Sequence, residues 1–167
     1  SLDVSKMVFD KEKNTILTTF GLQNRKDHKQ VYDYVLDCLG ENAAKNDMTE
    51  WGNKRCFHPI VICRVLMLFL RKSFSGLSPK KLYFLTCRTI YFVNTLEELK
   101  KFSCAGVEKY LSMYNSTQIE HMFTQYFHSV GVPTYSLSEG LYQIYDKDIP
   151  IDEVNYDNVS TENLILW

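Results

Sequence analysis

The sequence predicts a mainly α protein, a single helical domain of about six helices with small β-hairpins near its termini. Three observations lead to this prediction. Apolar residues recur at helical spacing around 27–40 and 119–130, and Pro59 and Pro79 stand where helices are expected to begin. The two ends of the chain instead carry short β-prone runs around polar turns. The predicted organisation is a helical domain at 1–135, with a hairpin at 6–20, and an acidic C-terminal hairpin or arm at 136–167.

Capping residues define the first three predicted helices. In "DHKQVYDYVLDCLGEN", Val31 and Val35 share one helical face, and Gly40 can end the helix in the left-handed conformation. A second helix is predicted to begin at Pro59, because the missing N–H of a proline costs nothing in the first turn. The hydroxyl of Ser78 can cap a third helix.

The remaining elements are predicted from turn residues and spacing. The segment "NAAKNDMTEWGNKRC" is polar, is interrupted by Gly52 and predicts a loop. Thr95 and Glu98 have the spacing of a capping box, which predicts a short helix, and Ser103 can cap another helix through Tyr114. An apolar stripe predicts the last helix, which Gly131 would close; its members are Ile119, Met122, Phe123, Tyr126, Phe127 and Val130.

Composition limits the class of protein. In 167 residues, 45% hydrophobic and 14% aromatic content favours a folded globular chain over a disordered one. The five cysteines are odd in number and predict free thiols in an intracellular, reducing compartment, nuclear or cytoplasmic. The longest apolar run is about twelve residues, shorter than the roughly twenty that a membrane span needs, so no membrane partner is expected. The absence of an initial methionine predicts a fragment of a larger protein.

The charge is distributed unevenly. The net charge is −1, yet residues 51–102 hold ten basic and two acidic side chains, and residues 138–167 hold one basic and seven acidic ones. Arg64 and Arg71 lie seven residues apart, close to two helical turns, and Lys81 and Arg88 repeat this spacing on the next helix. Such cationic ridges bind phosphate backbones because neutralised phosphates release counterions. The alternative is a solvated helix face.

A helix-turn-helix is a further hypothesis. The segment "TLEELKKFSCAGVEKYL" has a capped helix, a short turn and a second helix that would enter a major groove. The interval from Leu99 to Val107 is about three residues shorter than in the common form of this motif. Lys109 and Ser112 would read bases from the second helix. Two ordinary packed helices remain the alternative.

The order of several segments resembles a known family. "FHP" before an apolar helix, then "SGLSPKKLYFLTCRTIYFVN", then "SCAGVEKYL", is similar to the helical N-terminal domain of insertion-sequence DDE transposases, over about residues 57–130. The resemblance implies DNA binding at transposon ends. It implies no catalysis, because the catalytic domain of that family would follow residue 135, where only about thirty residues remain.

Neither a cofactor nor a metal site is predicted. The chain has no CxxC pair and no HxxxH, and it has no GxSxG or phosphate-binding glycine loop. We expect a non-catalytic DNA-binding domain. Its predicted nucleic-acid contacts are Arg64, Arg71, Lys72, Lys80, Lys81, Arg88, Lys109 and Ser112.

A protein-interaction module is the alternative function. Aromatic residues are enriched at interface hot spots, and the acidic tail is rich in tyrosine. Helical grooves or this tail would hold a protein partner or a second copy of the chain. The predicted partner-binding residues are Tyr142, Tyr145, Tyr156 and Trp167.

Overall fold

The protein is an α/β protein, and the prediction of a mainly α domain of six helices was wrong. The computed structural model describes residues 1–9, 12–19, 26–55, 58–71, 78–113, 118–137 and 163–165. Within those residues it has four α-helices and a five-stranded sheet. The elements are β1 (Thr15–Thr19), α1 (Lys26–Leu39), β2 (Ala43–Asp47), α2 (Pro59–Arg71), α3 (Pro79–Leu99), β3 (Lys109–Ser112), α4 (Gln118–Ser129), β4 (Thr134–Leu137) and β5 (Asn163–Ile165), with short 3-10 helices at Val4–Lys6 and Gly40–Asn42.

The chain forms two compact units that alternate along the sequence. Unit 1 contains Ser1–Lys6 and Trp51–Ser103, and therefore α2 and α3. Unit 2 contains Met7–Glu50 and Cys104–Trp167, and therefore the whole sheet with α1 and α4. The predicted division at residue 135 stays a prediction, because the tail at 138–162 lies outside the described residues.

Unit 2 is built on a parallel sheet. Its strand order is β2-β1-β3-β4-β5, and every neighbouring pair is parallel. All five residues of β1 are buried, as expected for a parallel strand covered on both faces. The hairpin predicted at 6–20 was therefore wrong, since β1 pairs in parallel with β2 and β3 instead of with a neighbouring segment. The segment predicted as a loop at 42–56 contains β2.

One face of the sheet is apolar and packs against α1. Side chains alternate between the faces of a strand, so Leu17, Leu111 and Leu137 share this face. They form a core cluster with Leu36 of α1 and with Met113. The helix predicted around residues 27–40 is α1, so that prediction was correct. Gly40 follows α1 with a positive φ of 60°.

The opposite face packs against α4 and is more polar. Tyr110 stacks on Phe127 of α4, with ring centroids 4.4 Å apart and an interplanar angle of 17°. The apolar stripe correctly predicted α4, and Gly131 closes it with a φ of 80°. The register places Thr18 beside Ser112, and Ser112 beside Ser136, in a row of hydroxyls across the three central strands.

A buried hydrogen-bond cluster surrounds Tyr110. Its hydroxyl lies 2.7 Å from Oγ1 of Thr18. Burial raises the pKa of Tyr110, which also hydrogen-bonds Thr124 and Ser112, while the nearby carboxylate of Glu120 raises that pKa further. Tyr110 is therefore a neutral hydroxyl that can both donate and accept within the core.

Unit 1 is organised by α2 and α3, which contact each other. Pro59 is the first residue of α2, as predicted. The hydroxyl of Ser78 accepts a hydrogen bond from the backbone N–H of Lys81 and so caps α3, with Pro79 in the first turn. The N-terminal segment is held to the same unit, because the backbone N–H of Leu2 donates to the Thr95 hydroxyl at 3.0 Å.

Two predicted helices were wrong. Thr95 does not start a short helix, because α3 continues through it to Leu99 and its hydroxyl donates to the carbonyl of Tyr91. The helix predicted from Ser103 to Tyr114 is replaced by β3. In β3, Tyr110, Leu111 and Ser112 are all buried. Such a run fits a strand covered on both faces as well as a buried helix, so residue spacing alone could not distinguish the two.

Removing the hydroxyl should affect stability differently at the two adjacent threonines that end β1. Thr18→Val removes the hydrogen bond to Tyr110 and should lower the free energy of unfolding by about 1 kcal/mol. Oγ1 of Thr19 is buried and has no hydrogen-bond partner among the described residues, so Thr19→Val should leave stability unchanged or raise it. Guanidinium unfolding of both variants measures the difference, and an equal loss in both would contradict the described hydrogen bonding.

Candidate functional site

The exposed side of α2 carries a cation, Arg64, among large apolar side chains. Ile60, Arg64, Met67 and Arg71 follow one another at i, i+4, i+7 and i+11, and therefore lie on one stripe of the helix. Ile60 is 68% exposed and Met67 is 53% exposed, and Arg64 is also exposed. The inward side of α2 is formed by Val61 and Val65. The stripe is therefore apolar surface with a cation embedded in it.

The exposed side of α3 mixes cations with aromatic side chains. Lys80, Tyr83, Phe84 and Arg88 lie at i, i+3, i+4 and i+8, on one side of the helix. Tyr83 is 73% exposed and Phe84 is 63% exposed. Lys81 is exposed next to this stripe. We call the exposed residues of the two helices the α2–α3 surface; its described members are Ile60, Arg64, Leu66, Met67, Leu68, Lys80, Lys81, Tyr83, Phe84, Leu85 and Arg88.

The cations of this surface make no ion pair among the described residues. No acidic residue occurs between Trp51 and Leu96, whereas eight basic residues do. The guanidinium of Arg88 lies 5.9 Å from the ring centre of Phe92, a cation–π contact that leaves its charge in place. The positive charge of the surface is therefore not cancelled locally by carboxylates in the part of the chain that the structure describes.

The C-terminal end of α3 behaves differently. Lys100 pairs with Glu97 at 2.7 Å, and Lys101 pairs with Glu98. Nε2 of His58 lies 2.9 Å from Oε1 of Glu98. Hydrogen bonds from Lys101, and then from His58, lower the pKa of Glu98. These two lysines are therefore neutralised, unlike the cations of the α2–α3 surface.

The structure separates the predicted nucleic-acid contacts into three groups. Arg64, Lys80, Lys81 and Arg88 lie exposed on α2 and α3 of unit 1, as described above. Arg71 ends α2, although its side chain is not described, and Lys72 lies outside the described residues. The other two predicted contacts, Lys109 and Ser112, lie on β3 in unit 2.

The predicted helix-turn-helix does not exist. Its second helix is strand β3, in which Lys109 is exposed while Ser112 is fully buried. A buried serine within a parallel sheet has no access to a base edge. The predicted partner residues of the tail lie outside the described residues; they are Tyr142, Tyr145, Tyr156 and Trp167.

Two features were missed in the sequence. One is the exposure of aliphatic side chains on α2, where Leu66 is 45% and Leu68 is 50% exposed. The near-continuous apolar run of α2 was a signal for it, because a single packed neighbour cannot cover a helix that is apolar all round. The other is the parallel sheet, for which the run Thr15–Thr19, with four β-branched residues out of five, was the available signal.

Comparisons with known proteins give no identity. No family model matches this chain, and neither a curated protein nor a solved structure is significantly similar to it. The resemblance to transposases thus gains no support. No described helix is long and apolar enough to cross a membrane. Within the described ranges, no three His, Cys, Asp or Glu side chains cluster as metal ligands.

Glu98 predicts a pH-dependent contribution to stability. The pKa of Glu98 is lowered in the folded protein. The stability that its ionised carboxylate contributes is therefore present above the ordinary pKa of 4.5, and it is lost as the pH falls through the folded-state pKa. Glu98→Gln should therefore cost on the order of 1 kcal/mol at pH 7 and much less in acid. Glu97→Gln is the control, because Glu97 is more exposed and its pair should contribute little. A Glu98→Gln effect that is the same at neutral and acid pH in guanidinium unfolding would contradict this account.

Proposed function

We propose that the α2–α3 surface binds nucleic acid, with single strands preferred. The observation that carries the proposal is the alternation of exposed cations and aromatic rings along α3, at Lys80, Tyr83, Phe84 and Arg88. Proteins that bind single strands combine cations along the phosphate backbone with aromatic side chains on which bases stack. The exposed tyrosine and phenylalanine supply such stacking surfaces, and the lysines and arginines supply the phosphate contacts.

Reading of a specific duplex sequence is not part of this proposal. Duplex sequences are read mainly by a helix or ribbon that enters the major groove and contacts base edges. The segment predicted to do so is the buried strand β3. The α2–α3 surface would still contact phosphates and stack bases, and both kinds of contact tolerate many nucleic-acid sequences. The proposed role is therefore binding of low sequence specificity.

Binding of this kind should depend steeply on salt. Each phosphate neutralised on a single strand contributes about −0.7 to the slope of log affinity against log salt concentration. The described cations of the surface are Arg64, Lys80, Lys81 and Arg88, so the expected slope is roughly −3. The four described free cysteines suit a reducing compartment such as the nucleus or cytoplasm, where nucleic acids are found.

A protein-interaction module is the second candidate, and exposed aliphatic side chains favour it. Ile60, Leu66, Met67 and Leu68 are between 45% and 68% exposed on α2. Phosphates and bases do not cover aliphatic surface well, whereas apolar faces of other proteins do. A partner for this surface would present an apolar face with acidic residues around it.

Removing two cations tests the nucleic-acid proposal. Lys80→Gln combined with Lys81→Gln should flatten the salt slope by about 1.4 and weaken binding of a labelled oligothymidylate at low salt. Fluorescence anisotropy across salt concentrations measures both quantities. The matched control is Lys45→Gln combined with Lys109→Gln, which removes two exposed lysines from unit 2 and should leave the slope unchanged.

Equal flattening by the two double variants would show that only the overall charge matters, and would contradict the proposed surface. No binding at low salt would exclude it altogether. The same titration against vesicles of anionic phospholipid separates the sources of phosphate. Tighter binding to vesicles than to the oligonucleotide would assign the surface to a membrane and reject nucleic acid.

Removing the aromatic rings tests the stacking part of the proposal. Tyr83→Ala combined with Phe84→Ala should weaken oligothymidylate binding by about 1–3 kcal/mol for each ring that stacks on a base, with the salt slope unchanged. Both side chains are exposed, so the fold should tolerate the change. Tyr34→Ala is the control, because Tyr34 is 70% exposed on α1 of unit 2. If the double variant binds oligothymidylate as tightly as the unchanged protein, stacking is contradicted and only non-specific charge attraction remains.

A further inference from the structure

Ser78 is an exposed serine in a sequence context that protein kinases recognise. It is followed by Pro79, Lys80 and Lys81, and all four residues are exposed. Proline-directed kinases phosphorylate a serine or threonine that immediately precedes proline, and the cyclin-dependent ones among them favour a basic residue two positions after that proline. Of the four prolines in the chain, only Pro79 follows a serine or threonine. A kinase of this class would therefore have a single target in this sequence.

The backbone around Ser78 also favours modification. Ser78 is the N-cap of α3, with φ −63° and ψ 151°, an extended conformation of the kind that a following proline imposes and that kinases bind. Its hydroxyl accepts a hydrogen bond from the backbone N–H of Lys81 at 3.4 Å, which is long for such a bond. The first turn of a helix makes few intrahelical hydrogen bonds, so it can open locally at low cost and present the hydroxyl to an enzyme.

A phosphate on Ser78 would change the charge of the α2–α3 surface. A phosphoserine carries about −1.5 to −2 charges at pH 7. Lys80 and Lys81 follow Ser78 directly, and no acidic residue occurs between Trp51 and Leu96. The phosphate would therefore be the first anion in this stretch of the chain, and its charge would offset that of the two lysines. Its oxygens could still accept hydrogen bonds from the backbone N–H groups at the start of α3, so the helix would keep a cap.

We propose that Ser78 is a phosphorylation site for a proline-directed kinase, and that its phosphorylation releases nucleic acid from the α2–α3 surface. The release rests on the function proposed above, whereas the modification does not. In the reaction, Oγ of Ser78 attacks the γ-phosphorus of ATP, and the bond from that phosphorus to the oxygen bridging the β- and γ-phosphates breaks. ADP leaves, and the hydroxyl proton passes to the catalytic aspartate of the kinase.

Treatment of the whole chain with a purified cyclin-dependent kinase and Mg·ATP tests the modification. Intact-mass spectrometry should show one added phosphate, and peptide mapping should locate it on Ser78. Ser78→Asn is the matched control, because asparagine also caps a helix but has no hydroxyl, and it should abolish incorporation. Pro79→Ala keeps the hydroxyl and should slow incorporation. No incorporation into the unchanged protein, or incorporation that persists in Ser78→Asn, would overturn the proposal.

Binding of labelled oligothymidylate across salt concentrations tests the release. The phosphorylated protein should bind more weakly at low salt, with the salt slope flattened by about 1.4, as expected when two phosphate contacts are lost. Ser78→Asp adds one negative charge at the same cap and should flatten the slope by about 0.7, whereas Ser78→Asn should leave it unchanged. Ser129→Asp is the control for overall charge, because Ser129 is exposed on α4 of unit 2, and it should leave binding unchanged.

The modification and the release fail separately. Equal affinity and slope for the phosphorylated and unmodified proteins would overturn the release, even with Ser78 modified. Equal weakening by Ser78→Asp and Ser129→Asp would show an effect of overall charge alone and would overturn it as well. If the unmodified protein binds no oligothymidylate, the function proposed above and the release fail together, and the mass measurement alone decides whether Ser78 is a modification site.

Discussion

The hydrogen bond between the hydroxyls of Tyr110 and Thr18 joins the neighbouring strands β1 and β3 of the sheet. Stacking of the same Tyr110 ring on Phe127 holds α4 to the sheet. One fully buried side chain thus connects β1, β3 and α4, although 92 positions separate Tyr110 from Thr18. Because burial raises its pKa, Tyr110 stays neutral over the whole physiological range and the connection does not titrate. Every conclusion about unit 2 depends on this adjacency of β1 and β3.

The adjacency has two consequences. It makes the carboxyl edge between β1 and β3 the place where the connections of the sheet diverge. It also removes residues 109–112 from any reading helix, because they are the strand that completes the sheet. The proposed nucleic-acid binding therefore rests on unit 1, where the cations of the α2–α3 surface make no ion pair among the described residues.

Local signals in the sequence predicted those parts of the fold that local physics determines. The caps at Pro59 and Ser78 and the stripe of α4 all have the predicted role. The sheet was missed because its parallel pairs join distant segments, and because the buried side chains of the short strands β1 and β3 have a spacing that also fits a helix. The helix start predicted at Thr95 was wrong because capping-box spacing can also occur inside a continuous helix. There the hydroxyl of Thr95 donates to the carbonyl of Tyr91 instead of capping a helix. The exposed cations of α2 and α3 were predictable, since charge spacing within a helix is local.

The most direct test of the pairing of β1 with β3 is a through-hydrogen-bond NMR coupling. The backbone N–H of Met113 donates to the carbonyl of Thr18 at 3.1 Å, directly beyond the end of β3. A scalar coupling between the Met113 nitrogen and the Thr18 carbonyl carbon is the predicted result. A coupling from Met113 to the carbonyl of Lys109 instead would show the helical pattern of bonding four residues back. That result would contradict the parallel sheet on which the description of unit 2 depends.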